Sequence, residues 1–109
     1  MFKRVFLLIA FFSILFSSSS VFASRGVIAF YGERSDILVI RTQSGYYTCG
    51  EVFGLAPWNL SRGDIVMGDL DSFGFHDVYD YSIDESFQLF IDEIYLNEQQ
   101  AAKWIQSKV

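Results

Sequence analysis

The 109 residues contain one cysteine, one proline and one histidine. Cys49 alone cannot form an internal disulfide, the usual support of small exported domains. One histidine and one cysteine also fall short of the three or four N/S ligands that a zinc site takes. A catalytic cysteine needs a base beside it, and His76 is the one histidine that could serve. A buried, inert thiol is the reading this composition favours. Positive charge is missing from a long stretch. No Lys or Arg occurs from Gly63 to Ala102, while Asp64, Asp69, Asp71, Asp77, Asp80, Asp84, Glu85, Asp92, Glu93 and Glu98 all fall there. Phosphate backbones are bound by clustered cations, so nucleic acid and anionic membrane surfaces are not the expected partners. A basic protein or a cation is.

The other two basic residues, Lys3 and Arg4, stand at the N-terminus before the apolar run Val5–Phe16, which only Ser13 interrupts. Ser17–Ser20 end the run, and Val21-Phe22-Ala23 places small residues at the −3 and −1 positions of a signal-peptidase site. A spanning helix needs about 20 apolar residues, more than this segment offers. We therefore expect residues 1–23 to be a signal peptide cleaved between Ala23 and Ser24. The chain is then periplasmic or secreted, with no stable membrane association afterwards. Removing Lys3 and Arg4 leaves six basic residues (Arg25, Arg34, Arg41, Arg62, Lys103, Lys108) against 13 acids, a net charge of −7.

Residues 24–109 suffice for a single domain, which at this size buries about 60% of its unfolded surface. Phe, Trp and Tyr make up 18% of the chain, far from the composition of a disordered segment. The pattern is strand after strand. Gly26–Tyr31 is β-prone and ends at the turn Gly32–Asp36. Ile37–Thr42 is apolar on both faces at its centre, as in a strand covered on both sides. Gln43-Ser44-Gly45 is a hairpin loop, and Tyr46–Phe53 returns with Tyr47, Cys49, Glu51 and Phe53 on one face. Gly50 in mid-strand marks a bulge or sharp bend. The connector Gly54–Gly63 holds Pro57, with Trp58 and Leu60 expected to pin it to the core. Ile65–Leu70 and Phe75–Tyr79 are two further strands. In the last, Phe87–Leu96, Phe87, Leu89, Ile91 and Tyr95 should share one face and Phe90 and Ile94 the other. The period then changes. Asn97 and Gln100 form a capping box, with Leu96 and Ala101 as a hydrophobic staple. Ala101, Trp104 and Ile105 line one face of a helix over 98–107, expected to plug an open end or cover an edge.

These elements predict an all-β domain at 24–109: a small antiparallel OB-like barrel of five to six strands with a short C-terminal helix, or alternatively an SH3-like barrel. Gly63-Asp-Ile-Val-Met-Gly68 resembles the fourth strand of an OB-fold, in which Gly-Asp turns into a strand that a second glycine lets bend. The mature chain resembles, in this pattern, small exported bacterial OB-type proteins. The connector 54–63 is shorter than the helix many OB-folds carry there. The basic, aromatic face of nucleic-acid OB-folds is missing.

The densest polar-aromatic stretch is 69–81. Asp69, Asp71, Gly74 and Asp80 fall at positions 1, 3, 6 and 12 of a calcium loop, but Phe73 occupies position 5 and no helix flanks it. As a plain hairpin, the stretch would turn its alternating aromatics to the core and its aspartates to water. As a binding surface, it would use Phe73, Phe75, Tyr79 and Tyr81 as anchors, with His76, Asp77 and Asp80 as polar neighbours. A catalytic His76 would be oriented by Asp77 or Asp80. Adjacent Asp92 and Glu93 point to opposite faces of a strand and cannot share a substrate. No phosphate loop, nucleophile elbow or cofactor motif is present. We expect no cofactor, no metal and no enzymatic activity. The leading expectation is an exported, acidic binding or inhibitor-like module. The alternative is an assembly component that oligomerises through a strand edge or Cys49; a small hydrolase stands third.

Overall fold

The computed structural model describes residues 23–109. The leader expected at 1–23 lies, but for Ala23, outside the described residues. Six strands follow: β1 (Ser24–Gly32), β2 (Ile37–Thr42), β3 (Tyr47–Phe53), β4 (Ile65–Gly68), β5 (Gly74–Asp80) and β6 (Glu85–Leu96). They close into a barrel in the order β1-β2-β3-β6-β5-β4, with β4 pairing back onto β1 and every pairing antiparallel. The fold is thus the small all-β, OB-like barrel with a C-terminal helix that the strand pattern predicts.

Alternation decides what fills it. Ile28, Leu38, Ile40, Val66, Val78, Leu89 and Ile91 are fully buried and form the interior. Each such side chain contributes about 1.5–3 kcal/mol on burial. β2 is buried on both faces at its centre. Leu38 and Ile40 point into the barrel, while Ile37 and Val39 form a second cluster with Cys49, Ala101 and Trp104. That second cluster lies beneath the helix α1 (Glu98–Lys108). The helix therefore sits on the outer face of β2 and β3 rather than plugging an end. A closed barrel leaves no edge to cover, and the outward residues of β2–β3 are the large apolar ones. Its start is the capping box: Asn97 Oδ1 accepts from the Gln100 N–H at 2.8 Å, and Gln100 Oε1 accepts from the Asn97 N–H at 2.9 Å.

Gly50 is where β3 bends. A Cβ there would sit 2.3 Å from the Phe90 carbonyl oxygen, and the β3–β6 register shifts on both sides of Cys49. The shift corrects the expected faces of β6. Phe87, Leu89 and Ile91 point inward, but beyond the bulge Ile94 packs on the barrel core and Tyr95 is exposed. Tyr95 takes a left-handed φ of 56°, which a strand residue adopts only where the ladder is broken. Trp58 departs from expectation too. The connector turns at Pro57, whose carbonyl accepts from the Leu60 N–H at 3.2 Å. Leu60 is driven into the core, and Trp58 stays 89% exposed.

Candidate binding surface

β5 carries most of the expected site, and its faces are the reverse of a plain hairpin's. Val78 and Asp80 point inward, so Phe75, Asp77 and Tyr79 point outward. The aromatics face water, and the one fully buried polar group of the strand is an aspartate. Pairing in register then sets Phe75 opposite Phe90 of β6, and Phe90 opposite Glu51 of β3. One row over, Asp77 faces Gln88, and Gln88 faces Phe53. The result is a phenyl cluster across three strands. Phe75 meets Phe53 edge-on at 5.1 Å and Phe90 at 4.8 Å between ring centres. Such pairs are worth about 0.5–1.5 kcal/mol beyond their burial. Nonetheless the three rings stay 59%, 53% and 40% exposed for Phe53, Phe75 and Phe90.

A shallow cleft of about 250 Å³ opens among Glu51, Val52, Phe53, Phe75 and Phe90. Small-molecule sites run to about 300–1,000 Å³ and enclose their ligand. This cleft suits a single side chain. Its charged neighbours, Glu51 and Asp77, are exposed, and neither forms an ion pair among the described residues.

A second aromatic group lies toward the other end of β5. Tyr79 and Tyr81 pack edge-on at 4.7 Å, and the Tyr81 hydroxyl lies 3.5 Å from Met67 Sδ. Tyr79 donates its hydroxyl proton to Asp84, which raises the phenol above its ordinary range by holding that proton. Phe73, 63% exposed, stands in the β4–β5 turn.

Of the seven residues singled out in the sequence, Phe75 belongs to the phenyl cluster, Asp77 and Tyr79 share its outward face of β5, and Phe73 and Tyr81 are exposed in the turns on either side. The other two lie elsewhere. His76 belongs to the inward set at the barrel end. Its Nε2 lies 3.1 Å from the Phe73 carbonyl, and its Nδ1 lies 3.8 Å from Asp69. Its carboxylate neighbour is thus Asp69, not Asp77 or Asp80. Asp80 is fully buried at the far end of β5. That position also separates it from Asp69 and Asp71, so the four calcium-loop positions do not converge. Among the described residues no three His, Cys, Asp or Glu side chains do.

Phe53, Phe90 and Glu51 are members that sequence reasoning missed. The signal was partly visible, since Glu51 and Phe53 share a face of β3 and Phe90 opposes the inward Leu89. What joins them is the β3–β6–β5 pairing, which no local pattern reveals. Cys49, by contrast, is unavailable at any surface. It is fully buried beneath α1, and burial, with Glu93 and Asp92 nearby, pushes its thiol up to about 12. The thiol is covered by α1, and each strand has a hydrogen-bonded neighbour on both sides in the closed order. Comparison of the chain with protein-family models, with curated proteins and with solved structures finds no match in any of the three.

Proposed function

We propose that this protein is an exported, non-catalytic binding module that docks a partner on the outer face of β3, β6 and β5. The observation that carries the reading is the phenyl cluster itself. Three rings packed edge-on and about half exposed, around a side-chain-sized cleft and bordered by carboxylates with no ion-pair partner among the described residues, have the make-up of an interface centre with a polar rim. The partner that fits inserts an apolar or aromatic anchor between Phe53, Phe75 and Phe90. It presents Lys or Arg to Glu51 and Asp77. A basic protein or peptide has that chemistry; a phosphate backbone does not. The face of strands 2 and 3 that OB-folds use for oligonucleotides is occupied here by α1, which supports the same choice.

Export rests on the leader pattern. Its supporting observation is that β1 begins at Ser24, whose hydroxyl bonds to the Gly68 carbonyl at 3.2 Å. Cleavage after Ala23 would leave every barrel residue in place. Likeness to exported bacterial OB-type proteins is part of the same reading.

The test is affinity capture from the exported compartment with mature protein, repeated with Phe75→Glu and Phe90→Glu. A basic partner held by wild type, released by added salt and lost from both variants is expected. Capture unchanged in both variants overturns the site. A wild type that runs as a dimer, and variants that run as monomers, would turn the reading toward an assembly component.

A further inference from the structure

The end of the barrel away from Phe73 encloses a pair of carboxyls. Asp80 closes β5 and is fully buried; Asp64, 9% exposed, precedes β4. Each is held by its own turn. The Ser61 N–H donates to Asp64 Oδ2 at 3.1 Å, and the Ser82 N–H donates to Asp80 Oδ1 at 2.9 Å. The two turns are tied to each other as well, through Tyr81 N–H to the Ile65 carbonyl at 2.8 Å and Ile65 N–H to Ser82 Oγ at 3.1 Å. That leaves Asp80 Oδ2, a buried oxygen that as a carboxylate accepts from no donor. Asp80 is in register with the buried Val66, and Asp64 lies two residues before Val66 on the same inward side, so the Asp64 carboxyl is the acid placed next to it.

Two buried carboxylates cannot both keep full charge side by side, and an orphaned buried oxygen has given up its bonds to water without replacing them. A proton on either oxygen resolves both problems, because the resulting O–H donates across the pair. No cation competes for the role. Asp80 lies in register with Val66 on β4 and with Glu85 on β6, and Glu85 is exposed at the hairpin. Asp84 is engaged by Tyr79. Arg62, in the connector, is exposed, and among the described residues neither Asp64 nor Asp80 has an ion-pair partner.

We propose that Asp64 and Asp80 share one proton, and that this proton is a pH-sensitive latch fastening the connector 54–64 and the β5–β6 turn onto the barrel end. The inference stands independently of the phenyl surface. Burial first, and then the bond to Asp64 and its charge, raise Asp80 to about 7. An unfolded aspartate loses its proton near pH 4. The latch therefore contributes fully below about pH 4, and its contribution is lost as the pH rises to about 7.

Carbon-detected NMR of the folded mature protein tests this directly. The Asp80 carboxyl carbon, and the Ser82 amide bonded to it, are expected to titrate above about pH 5.5, more than one unit over the ordinary aspartate value. Relative to the Leu89 amide, the Ser61 and Ser82 amides should lose protection about tenfold or more between pH 5.5 and 8.5. Asp80→Asn, which cannot titrate, should abolish that loss, and Asp64→Asn should return Asp80 toward the ordinary range. An Asp80 carboxyl carbon that titrates below about pH 5.5 overturns the proposal. So does a loss of protection that Asp80→Asn leaves unchanged. If neither variant folds, the wild-type carboxyl titration decides alone.

Discussion

Trp104 donates its indole N–H to Asp92 Oδ2 at 2.8 Å, binding α1 to β6 by a specific polar contact as well as by packing. Lys108 adds a cation to the same oxygen at 3.7 Å and lies 5.7 Å from the centre of the Trp104 ring. Beneath the indole are Ile37, Val39 and Cys49. Trp104→Ala removes both links and leaves a cavity over β2–β3, and should cost about 3–5 kcal/mol in denaturant unfolding. Trp104→Phe keeps most of the packing and loses only the bond to Asp92, which Lys108 and water still reach, so its loss should be about 0.5–1.5 kcal/mol. Trp58→Ala is the control. At 89% exposure it should change stability by less than about 0.5 kcal/mol. Equal losses at the two tryptophans would show that α1 is not docked as described.

Gly50 is a position where only hydrogen fits. Its missing Cβ would lie 2.3 Å from a backbone oxygen of β6, not against a side chain that can swing away. Gly50→Ala must therefore push β3 and β6 apart, at a cost of about 1–3 kcal/mol or more. Gly45→Ala meets no atom within 4 Å and bears only the strain of its φ of 89°, so its loss should be about 1 kcal/mol. Equilibrium unfolding of the pair separates the two mechanisms, and the Phe53–Phe75–Phe90 surface should be disturbed only in Gly50→Ala.

Cys49 should resist chemistry in the native state. With the thiol buried and raised to about 12, it should react with a disulfide reagent at pH 8 only as fast as α1 or the barrel opens. Denaturant should bring full reaction within the mixing time of an unfolded thiol. The folded thiol holds its proton beyond the unfolded range near 8.5. Cys49 therefore lowers stability progressively as the pH rises from about 8.5 toward about 12, a loss that Cys49→Ala removes. Rapid native-state labelling would contradict the position of the helix.

The barrel, its six strands and the capped helix were legible because each rests on a local signal: period-2 runs, glycine turns, and the Asn97–Gln100 box. Three things were not. The inward or outward sense of β5 depends on which neighbour it pairs with, and Val78 with its small side chain is a less obvious core residue than Phe75. The flip of Ile94 and Tyr95 depends on a bulge induced from β3, forty residues away. The Asp64–Asp80 pair depends on β4 beginning where β5 ends, at the same rim. A lone aspartate after a strand normally reads as solvated, and nothing within either segment marks these two as partners. The candidate surface was half visible for the same reason: its β5 residues form one stretch, while Phe53, Phe90 and Glu51 arrive through pairing.

Salt should stabilise the isolated barrel domain, residues 24–109. Ten carboxylates and no Lys or Arg lie between Gly63 and Ala102; Asp77, Asp80, Glu85, Asp92 and Glu93 lie on β5 and β6, which are neighbours in the barrel. The ion pairs formed by the described residues are His76–Asp69 and Lys108–Asp92, so most of these charges have no local opposite. Crowded like charges raise the free energy of the compact state more than of the expanded chain. The Debye length falls from about 30 Å at 0.01 M to about 10 Å at 0.1 M. With strands about 4.8 Å apart, screening over that range reaches charges about two strands apart, and the melting midpoint should rise by a few degrees, the shift that about 1 kcal/mol produces in a domain this size. Calcium at matched ionic strength should add nothing further if it acts by screening alone, because Asp69 and Asp71 stand apart from the buried Asp80. A calcium increment beyond screening would mean that carboxylates converge in solution as they do not in this structure. A midpoint that is flat or falls with sodium chloride would show the acids to be well paired, and would remove the charge complementarity on which a basic partner for Glu51 and Asp77 depends.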